Sequence, residues 1–207
     1  CLVGSEMCIR DRNWAFFNTV VDDSQRMTNI QDPVSGVAQV VKNAGDIEYR
    51  GFEIDGVYTM TDTITMIASL GYVHSKYKNL ISDLTGDFII DALDYALEVP
   101  RAAPLTYSLG FNIDGNLGTW RSITRISYYH RDKSYYNENN QGFINEQDIL
   151  NFGYDIYSSD GKINIGVYGK NLSNEVKHGG DTNLSFGGTF APLAKGKIVG
   201  AELVYKF

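Results

Sequence analysis

The last dozen residues, Gly196-Lys197-Ile198-Val199-Gly200-Ala201-Glu202-Leu203-Val204-Tyr205-Lys206-Phe207, decide how the rest of the chain is read. Counted back from the end, Phe207, Tyr205, Leu203, Ala201 and Val199 fall on one face of an extended strand and Lys206, Glu202 and Gly200 on the other, because strand side chains alternate with period two. One face is apolar along its whole length and the other is mostly polar. The segment runs to the terminus, is close to the roughly 9 to 11 residues a tilted strand needs to cross a bilayer, and stops on an aromatic ring. The pattern predicts a strand with hydrocarbon on one side and water on the other.

Composition extends that reading to the whole chain. Of 207 residues only 4 are Pro, while 21 are Gly, 14 Tyr and 10 Phe, a balance tilted toward strands and tight turns. The chain reads as all-β. A hydrophobic content of 43% and a mean hydropathy of -0.23 would suit a soluble protein, and no run approaches the 18 or so apolar residues of a membrane helix. Neither fact excludes a membrane barrel, whose strands give only every second residue to lipid. The net charge of -7 argues against a nucleic-acid partner, since no basic stripe is present to neutralise phosphates.

The first twelve residues, 1–12, show no strand alternation and no initiator Met, and resemble translated sequencing-adapter read-through. They are set aside as a non-native segment, leaving 13–207 as the protein proper. Both cysteines, Cys1 and Cys8, fall in the excluded stretch, so no disulfide framework or cysteine metal site is expected. A chain that starts in this way is expected to be the tail of a longer one.

Taken in order, Asn13 to Val21 is an aromatic-rich strand of unclear phase, and 22–36 reads as a polar connection. A long extended segment follows from Val37 to Met60, in which the apolar phase shifts from Ile47 and Tyr49 to Phe52, Ile54 and Tyr58; a phase shift at Gly51 suggests a bulge there. After a turn near Thr61-Asp62, Ile64, Met66, Ala68, Leu70 and Tyr72 share one face. Residues 80–103 form a long acidic loop, with a short helix possible between Asp91 and Val99. Its acids invite a calcium reading, but the ordered D-x-D-x-D-G loop is absent and solvated charges explain them. Leu105 to Asp114 is apolar at every odd position, and Asp114-Gly115 is expected to turn the chain. On the returning strand Trp120, Ile126 and Tyr128 oppose Arg121, Arg125 and Arg131, and arginines in a row suit an aqueous lumen rather than lipid. A further hairpin joins Leu150, Phe152, Tyr154 and Ile156 to Ile163, Ile165 and Val167 across Ser158-Ser159-Asp160-Gly161. Short turns thus alternate with long loops, as in transmembrane barrels.

Three stretches in order carry a family resemblance. Val41-Lys42-Asn43-Ala44-Gly45-Asp46-Ile47-Glu48-Tyr49-Arg50-Gly51-Phe52-Glu53-Ile54, then Gly169-Lys170-Asn171-Leu172-Ser173-Asn174-Glu175, then the Tyr-Lys-Phe ending resemble the C-terminal part of TonB-dependent outer-membrane receptors. The resemblance covers about Trp14 to Phe207. It implies an antiparallel transmembrane β-barrel fragment of about eight C-terminal strands from a 22-stranded barrel in the outer membrane of a Gram-negative bacterium. It implies active uptake of a scarce nutrient such as a ferric siderophore, haem, cobalamin or glycan. Its partners would be outer-membrane lipid, the barrel assembly machinery reading Tyr205 and Phe207, and the TonB complex. No stretch here matches the family's plug domain or TonB box, so coupling would reside upstream.

No catalytic motif is present, neither a Gly-x-Ser-x-Gly elbow nor a phosphate-cradling glycine loop, so no enzyme and no cofactor is expected. His74, His130 and His178 lack metal-ligand spacing. Tyr135, Tyr136 and Phe143, beside Arg131 and Lys133, have the chemistry to stack on and pair with an aromatic anionic ligand such as a catecholate complex. The simpler reading assigns Tyr135 and Tyr136 to an outer aromatic girdle. Two other architectures share the alternation: a complete small porin or anchor barrel, and a soluble β-sandwich binding module. The fragment 13–207 alone, with two unpaired edges, is expected to aggregate.

Overall fold

The computed structural model describes residues 10–34, 36–179, 182–183 and 189–207. The segment set aside above falls mostly on residues 1–9, which lie outside the described residues, as do 180–181 and 184–188 of the last long loop. Twelve strands are assigned: β1 (Arg10–Asp32), β2 (Gly36–Thr61), β3 (Ile64–Leu80), β4 (Leu105–Leu117), β5 (Trp120–Arg131), β6 (Ser134–Tyr135), β7 (Phe143–Ile144), β8 (Gln147–Tyr157), β9 (Ile163–Lys170), β10 (Thr182–Asn183), β11 (Thr189–Phe190) and β12 (Ile198–Tyr205), with one helical turn, α1 (Ala92–Tyr95). Eight of them form a single sheet in the order β1-β2-β3-β4-β5-β8-β9-β12. Every neighbouring pair in it is antiparallel. The two-stranded pairs β6-β7 and β10-β11 are hairpins within the long loops.

Register places the side chains. Phe16, Phe52, Tyr72 and Leu105 lie side by side across β1 to β4, and Phe111, Ile126 and Phe152 do the same across β4, β5 and β8. This face is apolar and open: Trp14 is 71% exposed, Phe16 74% and Leu203 71%. A soluble sheet would bury such rings against a second layer, and the described residues supply none. The opposite face is polar and internally paired. Arg121 binds Asp114 at 2.6 Å, Arg125 forms an ion pair with Asp155, Asn13 donates to Asp55 at 3.1 Å, and Asn151 donates to Ser127 at 3.2 Å. Arginines that would be costly toward lipid thus meet carboxylates on the water-facing side. The terminal strand follows the pattern, with Val199, Leu203 and Tyr205 exposed on the apolar face and Phe207 edge-on to Tyr205 at 5.1 Å.

The buried core lies at the loop end. Ile47, Tyr77, Leu80 and Val99 form it, with Tyr49, Leu84 and Leu97 packed around. Ile47, Tyr49 and Tyr77 are on the water-facing side of β2 and β3, so residues 81–104 fold inward onto that wall. This explains the change of apolar phase in β2. Ile47 and Tyr49 face inward under a loop, whereas Phe52 and Ile54 lie on the open apolar face of an unbroken strand.

Three expectations are corrected. The sheet has no bulge at Gly51, which pairs regularly with Phe17 and Val73; the register shift falls between Gly45 and Ile47. There Asp46 accepts from the Asp23 amide at 3.0 Å and from Asn79 at 2.7 Å, fixing the extra residue. The polar stretch 22–36 is mostly strand, since β1 runs on to Asp32 and pairs with β2 as far as Gly36; cross-strand backbone bonds need no apolar face beyond the apolar band. Asp114-Gly115 does not turn the chain. Leu117 pairs with Trp120, the turn uses Gly118 at φ 63°, and Asp114 stays in the strand to meet Arg121. Beyond these three, the last residues of the set-aside segment, Arg10 to Arg12, pair with Tyr58 to Gly56 as the start of β1.

Candidate functional site

Three long loops, 81–104, 132–146 and 171–197, leave the same end of the sheet and meet. Asn140 binds the first to the second: its Oδ1 accepts from the Glu98 amide at 2.8 Å and its Nδ2 donates to the Glu98 carbonyl at 2.9 Å. The Arg101 amide donates to the Tyr135 carbonyl at 2.7 Å. Asn145 and His178 bind the second to the third, the Asn145 amide donating to the His178 carbonyl at 3.2 Å and the His178 amide to Asn145 Oδ1 at 3.0 Å. Backbone and amide bonds therefore hold the loop crown together.

Side chains of mixed character gather on this frame. Tyr135 and Phe143 are directly paired across the β6-β7 hairpin, so their rings share a face. The Lys133 ammonium lies 4.9 Å from the Tyr135 ring and 4.7 Å from the Phe143 ring, and the Phe143 ring packs on His178 at 5.7 Å. Arg101 stands 4.5 Å over Tyr136. Arg131 donates to the buried Ser134 hydroxyl at 2.8 Å and braces the hairpin base. Of the five residues singled out in sequence, Lys133, Tyr135 and Phe143 come together; Tyr136 pairs instead with Arg101, and Arg131 supports from below. Arg101 and His178 were missed, because they come from other loops and only the tertiary fold brings them near; Asn140 sits in the same loop and acts through Glu98 of the first. Tyr135 and Tyr136 stand on or beside a hairpin outside the main sheet, above the ring contacts of Phe52 with Tyr72 and Tyr107 with Tyr128. Among the described residues no group of three or more His, Cys, Asp or Glu side chains is placed to hold a metal ion.

Loop 81–104 is ordered by carboxylates. Asp94, 0% exposed, accepts from the amides of Leu84 at 2.7 Å, Thr85 at 2.9 Å and Asp91 at 3.0 Å. With Asp91 it forms a capping box on α1, a short helix as the sequence allowed. Burial alone pushes the Asp94 carboxyl up, but the amides of Asp91, Thr85 and Leu84 bind the ionised form and hold it below its ordinary value. A depressed pKa gives stability that is present above the unfolded value and is lost as pH falls through the folded one. The loop is thus expected to stay closed at neutral pH and to open only below about pH 4, read as loss of amide-exchange protection at Leu84 and Thr85. Asp94→Ala should open it at neutral pH, at a local cost of about 3 kcal/mol. Unchanged protection in that variant would contradict the assignment.

A concavity of about 790 Å³ lies elsewhere, on the polar face of the wall around Ser108, Arg125, Asn151, Asp155, Tyr168 and Lys170. Several of these groups already satisfy one another, which is the behaviour of a barrel lining.

Eight antiparallel strands, apolar outside and charge-paired inside, with loops gathered at one end, define an arc of transmembrane β-barrel wall. Solved structures agree. The ferric yersiniabactin uptake receptor FyuA from Yersinia pestis superposes with a TM-score of 0.76 at 18% identity, over 98% of this chain and 28% of that one. The siderophore receptor PiuA from Acinetobacter baumannii gives 0.69 at 17% identity, over 96% and 26%, and the copper transporter OprC 0.62 at 15%, over 96% and 30%. The chain therefore spans between a quarter and a third of the length of these proteins. No protein-family model and no curated protein matches the sequence.

Proposed function

We propose that this chain is the C-terminal wall and part of the outer loop crown of a TonB-dependent outer-membrane receptor that imports a scarce nutrient carried as an anionic, ring-bearing chelate, a ferric siderophore being the leading class. The observation that carries this reading is the placing of Lys133 between the Tyr135 and Phe143 rings, beside Arg101 and Tyr136, where three loops converge. Cations held over aromatic faces suit a ligand that is both anionic and aromatic. The fold likeness to uptake receptors supports it, as do the three sequence motifs. Lipid lies against the apolar face, the assembly machinery reads Tyr205 and Phe207, and a plug upstream of these residues contacts TonB. The chain acts as a transporter and not as an enzyme. The small complete barrel is disfavoured because β1 and β12 each have one partner and do not pair with each other.

The test uses the full-length receptor with Lys133→Gln, Tyr135→Leu and Phe143→Leu combined, titrated with ferric catecholate, ferric hydroxamate and copper(II) probes. Loss of one cation and two rings is expected to weaken the recognised chelate on the order of tenfold or more. Equal affinity of the variant for every probe the parent binds would sink the ligand reading while leaving the barrel assignment untouched.

A further inference from the structure

Loop 81–104 carries an apolar surface that the crown site does not use. Leu84, Leu97 and Val99 pack on the wall at Ile47, Tyr77 and Leu80, yet between Leu84 and Leu97 five large apolar side chains stay open. Phe88 is 96% exposed, Leu93 62% and Ile89 61%, and Ile90 and Tyr95 join them. Such a cluster on a loop in water marks a contact surface, the more so when it is held in place. Carboxylates hold this one. Asp83 accepts from the Gly86 and Phe88 amides, both at 2.7 Å, and from Thr85 Oγ1 at 3.1 Å. Phe88 is thereby kept in left-handed backbone at φ 69°, which a bulky residue adopts only under constraint. Asp87 accepts from the Ile89 amide at 2.9 Å and Asp91 from the Leu93 amide at 2.7 Å. The Leu80 amide donates to the Tyr95 hydroxyl at 3.1 Å and ties this ledge to β3.

Charge decides what can sit there. Residues 81–104 contain five carboxylates, Asp83, Asp87, Asp91, Asp94 and Glu98, and one cation, Arg101, whose guanidinium lies over Tyr136. Among the described residues none of the five forms an ion pair, and Asp87, Asp91 and Glu98 stand exposed around the rings. An anionic chelate would be repelled, so the ledge is not an extension of the crown site. A neutral apolar partner would bury these carboxylates without compensation. Lipid does not reach them, because the loop folds onto the polar face of the wall. A segment with basic side chains along one side and apolar ones along the other matches both the rings and the rim.

We infer that Phe88, Ile89 and Leu93, rimmed by Asp87, Asp91 and Glu98, form a docking surface for a basic amphipathic peptide segment of a second protein. The inference rests on the receptor reading proposed above, with the long loops toward the medium.

Fluorescence anisotropy on the proposed full-length receptor in phosphatidylcholine nanodiscs tests it. The probes are a labelled amphipathic helix of leucine and lysine, its lysine-to-glutamate counterpart and a scrambled form, with empty nanodiscs as the blank. The parent should bind the lysine helix and neither of the others, and the combined Phe88→Ser, Ile89→Ser and Leu93→Ser variant should bind it on the order of 100-fold less well. Asp87→Asn, Asp91→Asn and Glu98→Gln together should weaken it about tenfold and flatten its salt dependence; the Asp91→Asn change keeps a cap on α1. Equal binding by the parent and the apolar variant, equal binding of the lysine and glutamate helices, or binding to empty nanodiscs as tight as to the receptor would overturn the site. Should the apolar variant lack a heat-modifiable folded band, Phe88→Ser alone is read instead; about a fivefold loss is expected, and no change counts against the site. Labelling from outside the cell separates this inference from the receptor reading. Phe88→Cys should react, and Ser159→Cys, in the short turn at the other end of the sheet, should not. Protection of both overturns the docking surface alone, by placing the ledge under the rest of the receptor, whereas the reverse pattern overturns the orientation and the surface with it.

Discussion

Replacing Gly45 by alanine in the proposed full-length receptor is expected to remove the heat-modifiable folded form, or to leave it only at low temperature. Gly45 has φ 121°, a conformation that L side chains rarely adopt. An added Cβ would also lie 1.9 Å from the Asn79 carbonyl oxygen and 2.9 Å from the Leu80 Cα. Both are backbone atoms of β3 and cannot swing aside. Backbone strain of about 1–3 kcal/mol and overpacking of about 1–3 kcal/mol together approach half the stability of an ordinary domain. Gly51→Ala should behave similarly without the strain, since its Cβ would meet the Tyr72 carbonyl oxygen at 2.1 Å and the Phe17 ring at 2.6 Å. Gly110→Ala is the control. Its nearest neighbour would be 3.6 Å away, an ordinary contact, and a change within about 0.5 kcal/mol is expected. Band shift against temperature measures all three. If Gly45→Ala melts like Gly110→Ala, the close approach of β2 and β3 at this point is wrong.

These glycines also show what the sequence carried and what it hid. The Asn-Ala-Gly to Gly-Phe-Glu motif was legible as a pattern, and its physical content is that two glycines allow backbone crowding on either side of a register shift. The position of that shift was misread. Apolar phase changed near Gly51, but the cause was a loop covering Ile47 and Tyr49 from within, and no local pattern announces a partner some 30 to 50 residues away in Leu80, Leu84 and Val99. Strand alternation elsewhere was reliable because each strand has one apolar and one polar face, so Arg121 and Arg125 could be assigned to the inner face. The Asp114-Gly115 turn failed for the converse reason: a local turn signal lost to a cross-strand ion pair. The loop site was half legible. Lys133, Tyr135 and Phe143 lie close together in sequence, whereas Arg101 and His178 arrive from loops on either side.

Asn171 is where the next expectation is largest, and it gives the Lys-Asn-Leu motif its cause. The residue is 8% exposed and left-handed at φ 50°, a conformation Asn accepts more readily than other non-glycine residues. Its Nδ2 donates to the carbonyls of Glu175 at 3.1 Å and Lys195 at 2.8 Å, and its Oδ1 accepts from the Glu175 amide at 2.9 Å. Its own amide donates to Asn151 Oδ1 at 3.0 Å. Glu175 and Lys195 lie at the two ends of the last long loop, so a single side chain pinches that loop shut above β9. Leu172 next to it anchors its amide on the Leu150 carbonyl at 2.7 Å and fills the space that a side chain on Gly169 would need. Asn171→Ala should cost about 4 kcal/mol, about 1 for the left-handed backbone and the rest for three lost bonds at about 1 each. Asn171→Gly restores the backbone freedom and should cost about 3 kcal/mol. Asn171→Asp keeps the acceptor but loses both donors and sets a carboxylate against two carbonyl oxygens, so it should be no better than glycine. The readout is protease cleavage within residues 173–195 of the proposed full-length receptor, together with its melting midpoint. The order Ala worse than Gly separates backbone strain from bonding, and because His178 leaves from the same loop, a released clamp should also weaken the ligand that Lys133, Tyr135 and Phe143 are proposed to hold. Cleavage unchanged in all three variants would mean that the loop is held by something other than Asn171.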